Sequence, residues 1–193
     1  KDAEFGRSVS GNADINDDGT PDVVIGSTDY RGTAITEGGV WLLDGALLSG
    51  LNTMPLLDFE FPNASEATYH NIADFLLAPP IVSTTEEERF GQQVQLIDDP
   101  NGGYLAIASP LGNYGAGSLT GGIQIHHYDP VNDVLEVDPS ILITGAALDY
   151  RSEFGSKLNF MSNNGAPALL IGAPLSDRAG PDVGAMLPII LNP

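Results

Sequence analysis

Asp14-Ile15-Asn16-Asp17-Asp18-Gly19-Thr20-Pro21-Asp22 leads directly into the apolar run Val23-Val24-Ile25 near the beginning of the chain. Side-chain oxygens stand at the first, third, fifth and ninth positions of this stretch, and the Thr20 carbonyl stands at the seventh. This spacing around a glycine turn is typical of a loop that wraps a divalent cation. An EF-hand would need an acidic ligand at the twelfth position, which here is Ile25. The loop is therefore predicted to lead into a β-strand, and not into a helix.

The predicted ligand set favours calcium. Asp14, Asn16, Asp18 and Asp22 would supply side-chain oxygens, and Thr20 would supply its backbone carbonyl. Ca²⁺ takes about six to eight oxygen ligands in flexible geometry, whereas Mg²⁺ needs a stricter octahedron and keeps its waters. Because Asp, Asn and Gly also form ordinary surface turns, an acidic turn without a metal is the alternative.

The same pattern of landmarks occurs three times along the chain. Each unit opens on a Phe-Gly pair, continues with an apolar strand that ends in small residues, and then has a further strand after a glycine. The spacing from the Phe to the apolar triplet is equal in the second and third units and is longer in the first, which contains the acidic loop. Short apolar strands punctuated by Gly and Pro predict an all-β fold built of repeats. The opening pairs are Phe5-Gly6, Phe90-Gly91 and Phe154-Gly155.

These units resemble FG-GAP repeats, the blades of the integrin α-subunit propeller. The resemblance rests on the Phe-Gly pairs, on the corner Gly172-Ala173-Pro174, and on the acidic loop between the first two strands of a unit. It implies β-propeller blades, calcium in the loop, an extracellular or cell-surface location, and adhesion through a protein or glycan ligand. The corresponding turns of the other units, at 98–103 and 162–167, lack the spaced carboxylates, so we predict one calcium ion and not three.

The repeats divide the chain into four parts. Residues 1–45 are predicted to be the first FG-GAP-like unit with its calcium loop, 46–89 an insertion and linking strand, 90–153 the second unit, and 154–193 a third, incomplete unit. The segment 141–144 is predicted to be the fourth strand of the second unit. Its counterpart in the insertion is expected within 56–61 or 75–82.

Three units cannot close a propeller, since propellers have about four to eight blades. An open arc exposes strand edges and apolar faces, which favours pairing with another chain. We therefore expect either a homo-oligomer or polymer, such as an extracellular fibre, or completion by the remainder of a larger chain. The junction is expected at residues 1–4 and 189–191. Because the chain has no initiating Met and no signal peptide, a processed chain or one segment of a longer protein is expected.

The composition excludes several partners. The formal net charge is −19, with 7 Lys+Arg against 26 Asp+Glu. Such a surface repels phosphate backbones and anionic lipids, so neither nucleic acid nor a membrane surface is expected as a partner. The chain has no Cys, which excludes a disulfide framework and a thiolate metal site. Its apolar runs are much shorter than the roughly 18 residues of a membrane helix, so no membrane insertion is predicted.

Motifs for catalysis are missing from the sequence. It has no Gly-x-Ser-x-Gly elbow, no P-loop and no Rossmann glycine pattern. His126 and His127 are adjacent in a predicted strand, so their side chains should face opposite sides and cannot share a metal. Glu86-Glu87-Glu88 is interpreted as a solvated charge run. A non-enzymatic structural or adhesion module is the first hypothesis. The alternative is an accessory propeller segment of a larger enzyme, such as a phosphatidylinositol-glycan-specific phospholipase.

Asn63-Ala64-Ser65 is an N-glycosylation acceptor if the chain passes through a secretory pathway. Its position in the insertion predicts a surface loop. Trp41 and the tyrosines could stack on sugars, but packing inside the units is the expected role.

Overall fold

The computed structural model describes residues 4–30, 38–50, 56–58, 69–83, 89–99, 103–112, 120–129, 131–132, 134–136, 139, 141–145, 152–163, 166–177, 181 and 183–191. Most of the regular structure in these ranges is β-strand, which confirms the all-β prediction. The described helical segments are α1 (Gly45–Ser49) and a 3₁₀-helix (Ile72–Phe75). The strands are β1 (Ser8–Ala13), β2 (Asp22–Ser27), β3 (Gly39–Leu43), β4 (Leu56–Asp58), β5 (Tyr69–Asn71), β6 (Ile81–Val82), β7 (Gln93–Ile97), β8 (Tyr104–Ser109), β9 (Gly122–Asp129), β10 (Val134–Leu135), β11 (Ile141–Thr144), β12 (Lys157–Asn163), β13 (Ala166–Ala173) and β14 (Ala185–Ile190).

The strands form three antiparallel sheets and one small parallel pair. Sheet 1 has the order β1-β2-β3-β6, and sheet 3 has the order β12-β13-β14. Sheet 2 has the order β7-β8-β9, with β10 and β11 both pairing with β9. Strands β4 and β5 pair in parallel, apart from the three sheets. No helix in the described part of the chain is long and apolar enough to cross a membrane.

Two predictions about fourth strands can be compared with this topology. The segment 141–144 is strand β11 and pairs with β9, as predicted. In the insertion, β6 pairs with β3 and falls within the predicted range 75–82, whereas β4, in the other range, pairs only with β5. The four-part division of the chain stays a prediction.

The three Phe-Gly pairs adopt one backbone conformation. The residue before each Phe has a positive φ, at 48° for Glu4, 50° for Arg89 and 52° for Glu153. The glycines that follow the Phe have φ values of 84°, 78° and 95°. In each turn the residue after the Gly donates its N–H, at 3.0 Å, to the carbonyl of the residue before the Phe. The sequence repeat is therefore also a repeat of local structure.

The sheets stack face to face through two hydrophobic cores. The first core joins sheet 1, through Val24 and Leu42, to sheet 2, through Phe90 and Leu96. The second core joins sheet 2 to sheet 3 and includes Phe154. Alternating apolar residues on both faces of sheet 2 make this stacking favourable, since each buried large aliphatic side chain contributes about 1.5–3 kcal/mol. Strand β7 of sheet 2 lies against β1 of sheet 1, and β12 of sheet 3 lies against β7 of sheet 2.

A third core covers the outer face of sheet 1. The 3₁₀-helix places Ile72 and Phe75 against Ile25 and Leu43 of the sheet. Trp41 is buried there, with the rings of Phe5 and Tyr30 edge-on at centroid distances of 5.2 and 5.0 Å. This confirms the packing role that was expected for Trp41. The 3₁₀-helix thus caps one end of the stack of sheets.

Candidate metal centre

The acidic loop connects β1, which ends at Ala13, to β2, which begins at Asp22. The backbone is left-handed at Asp17, with φ 60°, and at Gly19, with φ 91°. Glycine adopts this conformation without a steric penalty, and Asp is among the residues that tolerate it best. These two positions allow the chain to curl back on itself between the strands.

Hydrogen bonds inside the loop gather its side-chain oxygens. Asp14 Oδ2 accepts the N–H of Gly19 at 2.7 Å, and Asp14 Oδ1 accepts the N–H of Asp18 at 3.1 Å. Asn16 Oδ1 also accepts the Asp18 N–H, at 3.2 Å, and Asp18 Oδ1 accepts the N–H of Thr20 at 2.7 Å. Asp14, Asn16 and Asp18 therefore turn oxygens towards the loop backbone while the loop itself stays accessible to solvent.

Asp22, the last predicted ligand, is buried. Its Oδ2 accepts the N–H of Ile15 at 2.9 Å, and its Oδ1 accepts the N–H of Gly45, at the start of α1, at 3.0 Å. Burial, together with the negative charges of Asp14 and Asp18, raises the pKa of Asp22 to about 6, although the two amide hydrogen bonds act in the opposite direction. The carboxylate ties the loop, strand β2 and helix α1 together at one point.

The donor chemistry of these residues fits a hard cation. An ionised carboxylate has about four lone-pair sites. The Asp14 and Asp22 carboxylates can therefore accept their backbone N–H hydrogen bonds and still coordinate a metal. A cation beside these groups would lower the Asp22 pKa, which burial raises most and the charges of Asp14 and Asp18 raise further. Carboxylate, amide and carbonyl oxygens are the ligands that Ca²⁺ prefers.

The predicted ligand set is not made of carboxylates alone, since it includes the Asn16 amide and the Thr20 carbonyl. Among the described residues, no three His, Cys, Asp or Glu side chains converge as a metal cluster. A bound ion would also have to draw the three acidic side chains together against their mutual repulsion.

Ile15 fastens the loop to sheet 2 and was not among the predicted site residues. Its side chain is buried in the first core, and its carbonyl accepts the N–H of Gly103 at 3.4 Å. A side chain at position 103 would collide with Ile15, so the close approach requires glycine there. An apolar residue between two loop ligands is the sequence signal that could have revealed this anchor.

The other predicted positions are placed as follows. Asn63 and the run Glu86-Glu87-Glu88 lie outside the described residues. His126 is buried, with Nδ1 at 2.9 Å from the Glu136 carbonyl, whereas His127 is partly exposed and its ring lies tilted against that of Tyr104. The two histidines thus occupy different environments on β9. The turns that correspond to the acidic loop in the other units are only partly described, so the prediction of a single calcium ion stays a prediction.

The chain matches no protein-family model and no curated protein. The resemblance to FG-GAP repeats therefore rests on the sequence landmarks and their spacing.

Proposed function

We propose that the chain is a calcium-binding extracellular adhesion or structural module, without catalytic activity of its own, and that its three sheets are FG-GAP-type propeller blades. One observation carries the proposal. The buried Asp22 carboxylate, whose pKa is raised first by burial and then by the charges of Asp14 and Asp18, closes an exposed loop of oxygen side chains. A divalent cation is the ligand whose charge and oxygen preference match this arrangement.

Calcium would act as a structural ion. A ligand that binds only the folded state stabilises it by RT ln(1 + [L]/Kd), or about 2.7 kcal/mol when the ligand is at 100 times its Kd. The loop is tied to helix α1 through Asp22 and to sheet 2 through Ile15. Binding at the loop would therefore stiffen the contact between sheets 1 and 2 as well as the hairpin itself.

The proposed location outside the cell follows from the ion. Calcium-binding modules with dissociation constants of roughly 10⁻⁴–10⁻³ M work where the ion is plentiful. The net charge of −19 suits a soluble, calcium-rich setting and disfavours nucleic acid as a partner. A protein or glycan ligand would bind at loops on one side of the blades, and Asn63 would carry a glycan on the insertion.

Calorimetric titration of the chelator-treated chain with CaCl₂, with MgCl₂ as the comparison, tests the proposal. A single saturable calcium site and much weaker magnesium binding are expected. No heat of binding at millimolar calcium would contradict it.

A further inference from the structure

The two contacts between neighbouring sheets follow one rule. In each, the Phe-Gly turn of the later sheet sits on small residues of the earlier sheet. A Cβ on Gly91 would lie 2.8 Å from the Gly39 carbonyl oxygen, and a Cβ on Gly155 would lie 3.2 Å from the Ala108 Cβ. These glycines are needed both for their positive φ and for their close approach to the preceding sheet.

The residues of the earlier sheet on which each Phe-Gly turn sits, which we call the receiving surface, are also small. A Cβ on Gly26 would collide with the Gly91 carbonyl, a Cβ on Gly38 with the Phe90 carbonyl, and a Cβ on Gly121 with the Phe154 carbonyl. The receiving surface therefore consists of the end of the second strand and the start of the third strand of a sheet. Beside it, Ser8 Oγ donates to the Gly91 carbonyl at 2.7 Å, and Ser10 Oγ accepts the Leu96 N–H at 3.1 Å.

Sheet 3 has the same receiving surface. At the equivalent positions it carries Gly172, Ala173, Gly184 and Ala185, and these line an open groove of about 520 Å³ together with Lys157 and Met186. Within the described part of the chain, no Phe-Gly turn occupies this groove, because the three such turns are those of sheets 1 to 3.

The outer face of sheet 3 continues the groove as an apolar surface. The strand register aligns three rows across the sheet, and we call the nine residues of these rows the open face. Met186 is 67% exposed, Ile190 49% and Met161 39%, whereas Ala168, between Met161 and Ile190, is buried. In a chain with 26 Asp and Glu, the open face has no carboxylate. Its rows are Lys157, Gly172 and Met186; Asn159, Leu170 and Pro188; and Met161, Ala168 and Ile190.

The open face can be compared with the segments where a junction is expected, and that expectation stays a prediction. Residues 189–191 were expected to supply the junction, but Leu191 is buried in the second core and Ile189 packs against that core. Of these three residues, Ile190 is the one that belongs to the open face. Of the other expected segment, 1–4, the structure describes only Glu4.

Sheet 1 has the complementary surface. Val9 is 62% exposed, whereas Val94, at the same place in the second unit, is 6% exposed. Among the described residues, no atom lies within 4 Å of a Cβ built on Gly6, in contrast to Gly91 and Gly155. The cap on sheet 1 covers Ile25, Trp41 and Leu43 but leaves Val9 on β1 accessible.

We propose that a second copy of this chain docks its Phe5-Gly6 turn and strand β1 on the open face of sheet 3. The proposal rests on the proposed function only in treating the sheets as repeated blades, and it does not require calcium. Lys157 takes the place that Ser8 has in sheet 1, so it would stand beside the incoming turn. The Glu4 carboxylate of that turn is already engaged within its own copy, where it accepts the Thr28 hydroxyl and lies near Arg7, so the match rests on the shape of the turn and the groove and not on charge.

The docking repeats the turn and first-strand part of the internal contact, because the cap occupies the rest of the outer face of sheet 1. Two copies supply six sheets, which is within the range of about four to eight blades in closed propellers. A head-to-tail pair with two identical junctions closes on itself, whereas an arrangement whose rotation does not close extends into a filament.

Sedimentation equilibrium of the 193-residue chain from about 1 to 100 µM tests the proposal, with two surface substitutions. Met186→Glu places a carboxylate on the open face, and Val9→Glu places one on β1. Each is expected to weaken self-association at least tenfold, because a charge is costly in an apolar contact. Val131→Glu, at a position that is 89% exposed in the turn between β9 and β10 of sheet 2, is the matched control and should associate like the unsubstituted chain.

Mixing the two variants distinguishes head-to-tail from face-to-face association. Met186→Glu keeps an intact β1 and Val9→Glu keeps an intact open face, so an equimolar mixture should form 1:1 heterodimers although each variant alone is monomeric. A Val9→Glu variant that still dimerises while Met186→Glu does not would overturn the proposal in favour of two open faces in contact. An unsubstituted chain that stays monomeric at about 100 µM would also overturn the proposal. This outcome is expected if another part of the same polypeptide, and not a second copy, covers the open face.

Calcium titration of the same samples separates this proposal from the proposed function. A monomer that binds calcium overturns the docking alone. A head-to-tail dimer that binds no calcium supports the docking and contradicts the calcium site.

Discussion

Ile15 donates its backbone N–H to the buried carboxylate of Asp22 at 2.9 Å, across the mouth of the acidic loop. The same Ile15 places its side chain in the core between sheets 1 and 2. The loop that is predicted to hold calcium is therefore also part of the packing between the sheets. Changes in the charge of the loop should consequently alter the stability of the whole chain.

Asp18→Asn should weaken calcium binding, because it removes the charge of a predicted ligand at the fifth position of the loop. We expect the calcium dissociation constant to rise about tenfold or more, as measured by calorimetric titration. Asp17→Asn is the matched control. It removes the same charge from the same loop at a position outside the ligand set, and Asn tolerates the positive φ found there. Equal effects of the two substitutions would show that only net charge matters.

Asp22→Ala should destabilise the chain even without calcium, because it leaves the Ile15 and Gly45 amides without their acceptor. Each unsatisfied buried amide costs about 1–3 kcal/mol. Asp22→Asn keeps one acceptor oxygen and should cost less. Urea unfolding in the presence of a chelator measures both variants, and a loss for Asp22→Ala no larger than that for Asp22→Asn would contradict the structural role.

Without calcium, ionisation of Asp22 should lower stability as the pH rises. Its pKa is about 6 in the folded chain against 3.8 ordinarily, so between these values the folded state holds the proton more tightly than the unfolded state. The stabilising contribution is thus complete below pH 3.8 and is lost as the pH rises through about 6. The melting temperatures of the unsubstituted chain and of Asp22→Asn are measured against pH, both with chelator, and the unsubstituted chain should lose more as the pH rises. An equal pH dependence of the two melting temperatures would contradict this effect.

Gly91→Ala should be more destabilising than Gly6→Ala. Both glycines have a positive φ, at 78° and 84°, so both substitutions carry the strain of about 1 kcal/mol for a left-handed residue. Only at Gly91 does the added methyl group also meet the preceding sheet. Urea unfolding of dilute, monomeric protein should show the larger loss for Gly91→Ala. Equal losses would mean that the sheets do not pack as described.

The elements that could be predicted from the sequence are those that a local residue pattern determines. The strand 141–144 follows from an apolar run, and the structure has it. The position of the short strand β6 could be predicted only as one of two ranges, because a strand of two residues carries little periodic signal. The cap of Ile72 and Phe75 on sheet 1 was not predicted, since it depends on contacts between segments distant in sequence.

The same distinction applies to the candidate site. The spacing of its oxygen side chains is visible in the sequence, and that spacing predicted the ligand set. The burial of Asp22 and its bond to Gly45 depend on where α1 packs, and α1 is too short to show a helical pattern. The sequence therefore predicted which residues belong to the loop, whereas their environment became visible only in the fold.

The most direct test of the central claim is the melting temperature of the unsubstituted chain in millimolar calcium, compared with the same buffer containing excess chelator. Calcium at about 100 times its Kd, which is roughly 10 mM for a Kd of about 10⁻⁴ M, stabilises by about 2.7 kcal/mol, and for a chain of 193 residues this corresponds to a rise in Tm of roughly 5–10 °C. Magnesium at the same concentration should give a much smaller rise. Identical melting temperatures in calcium and in chelator would contradict the calcium site.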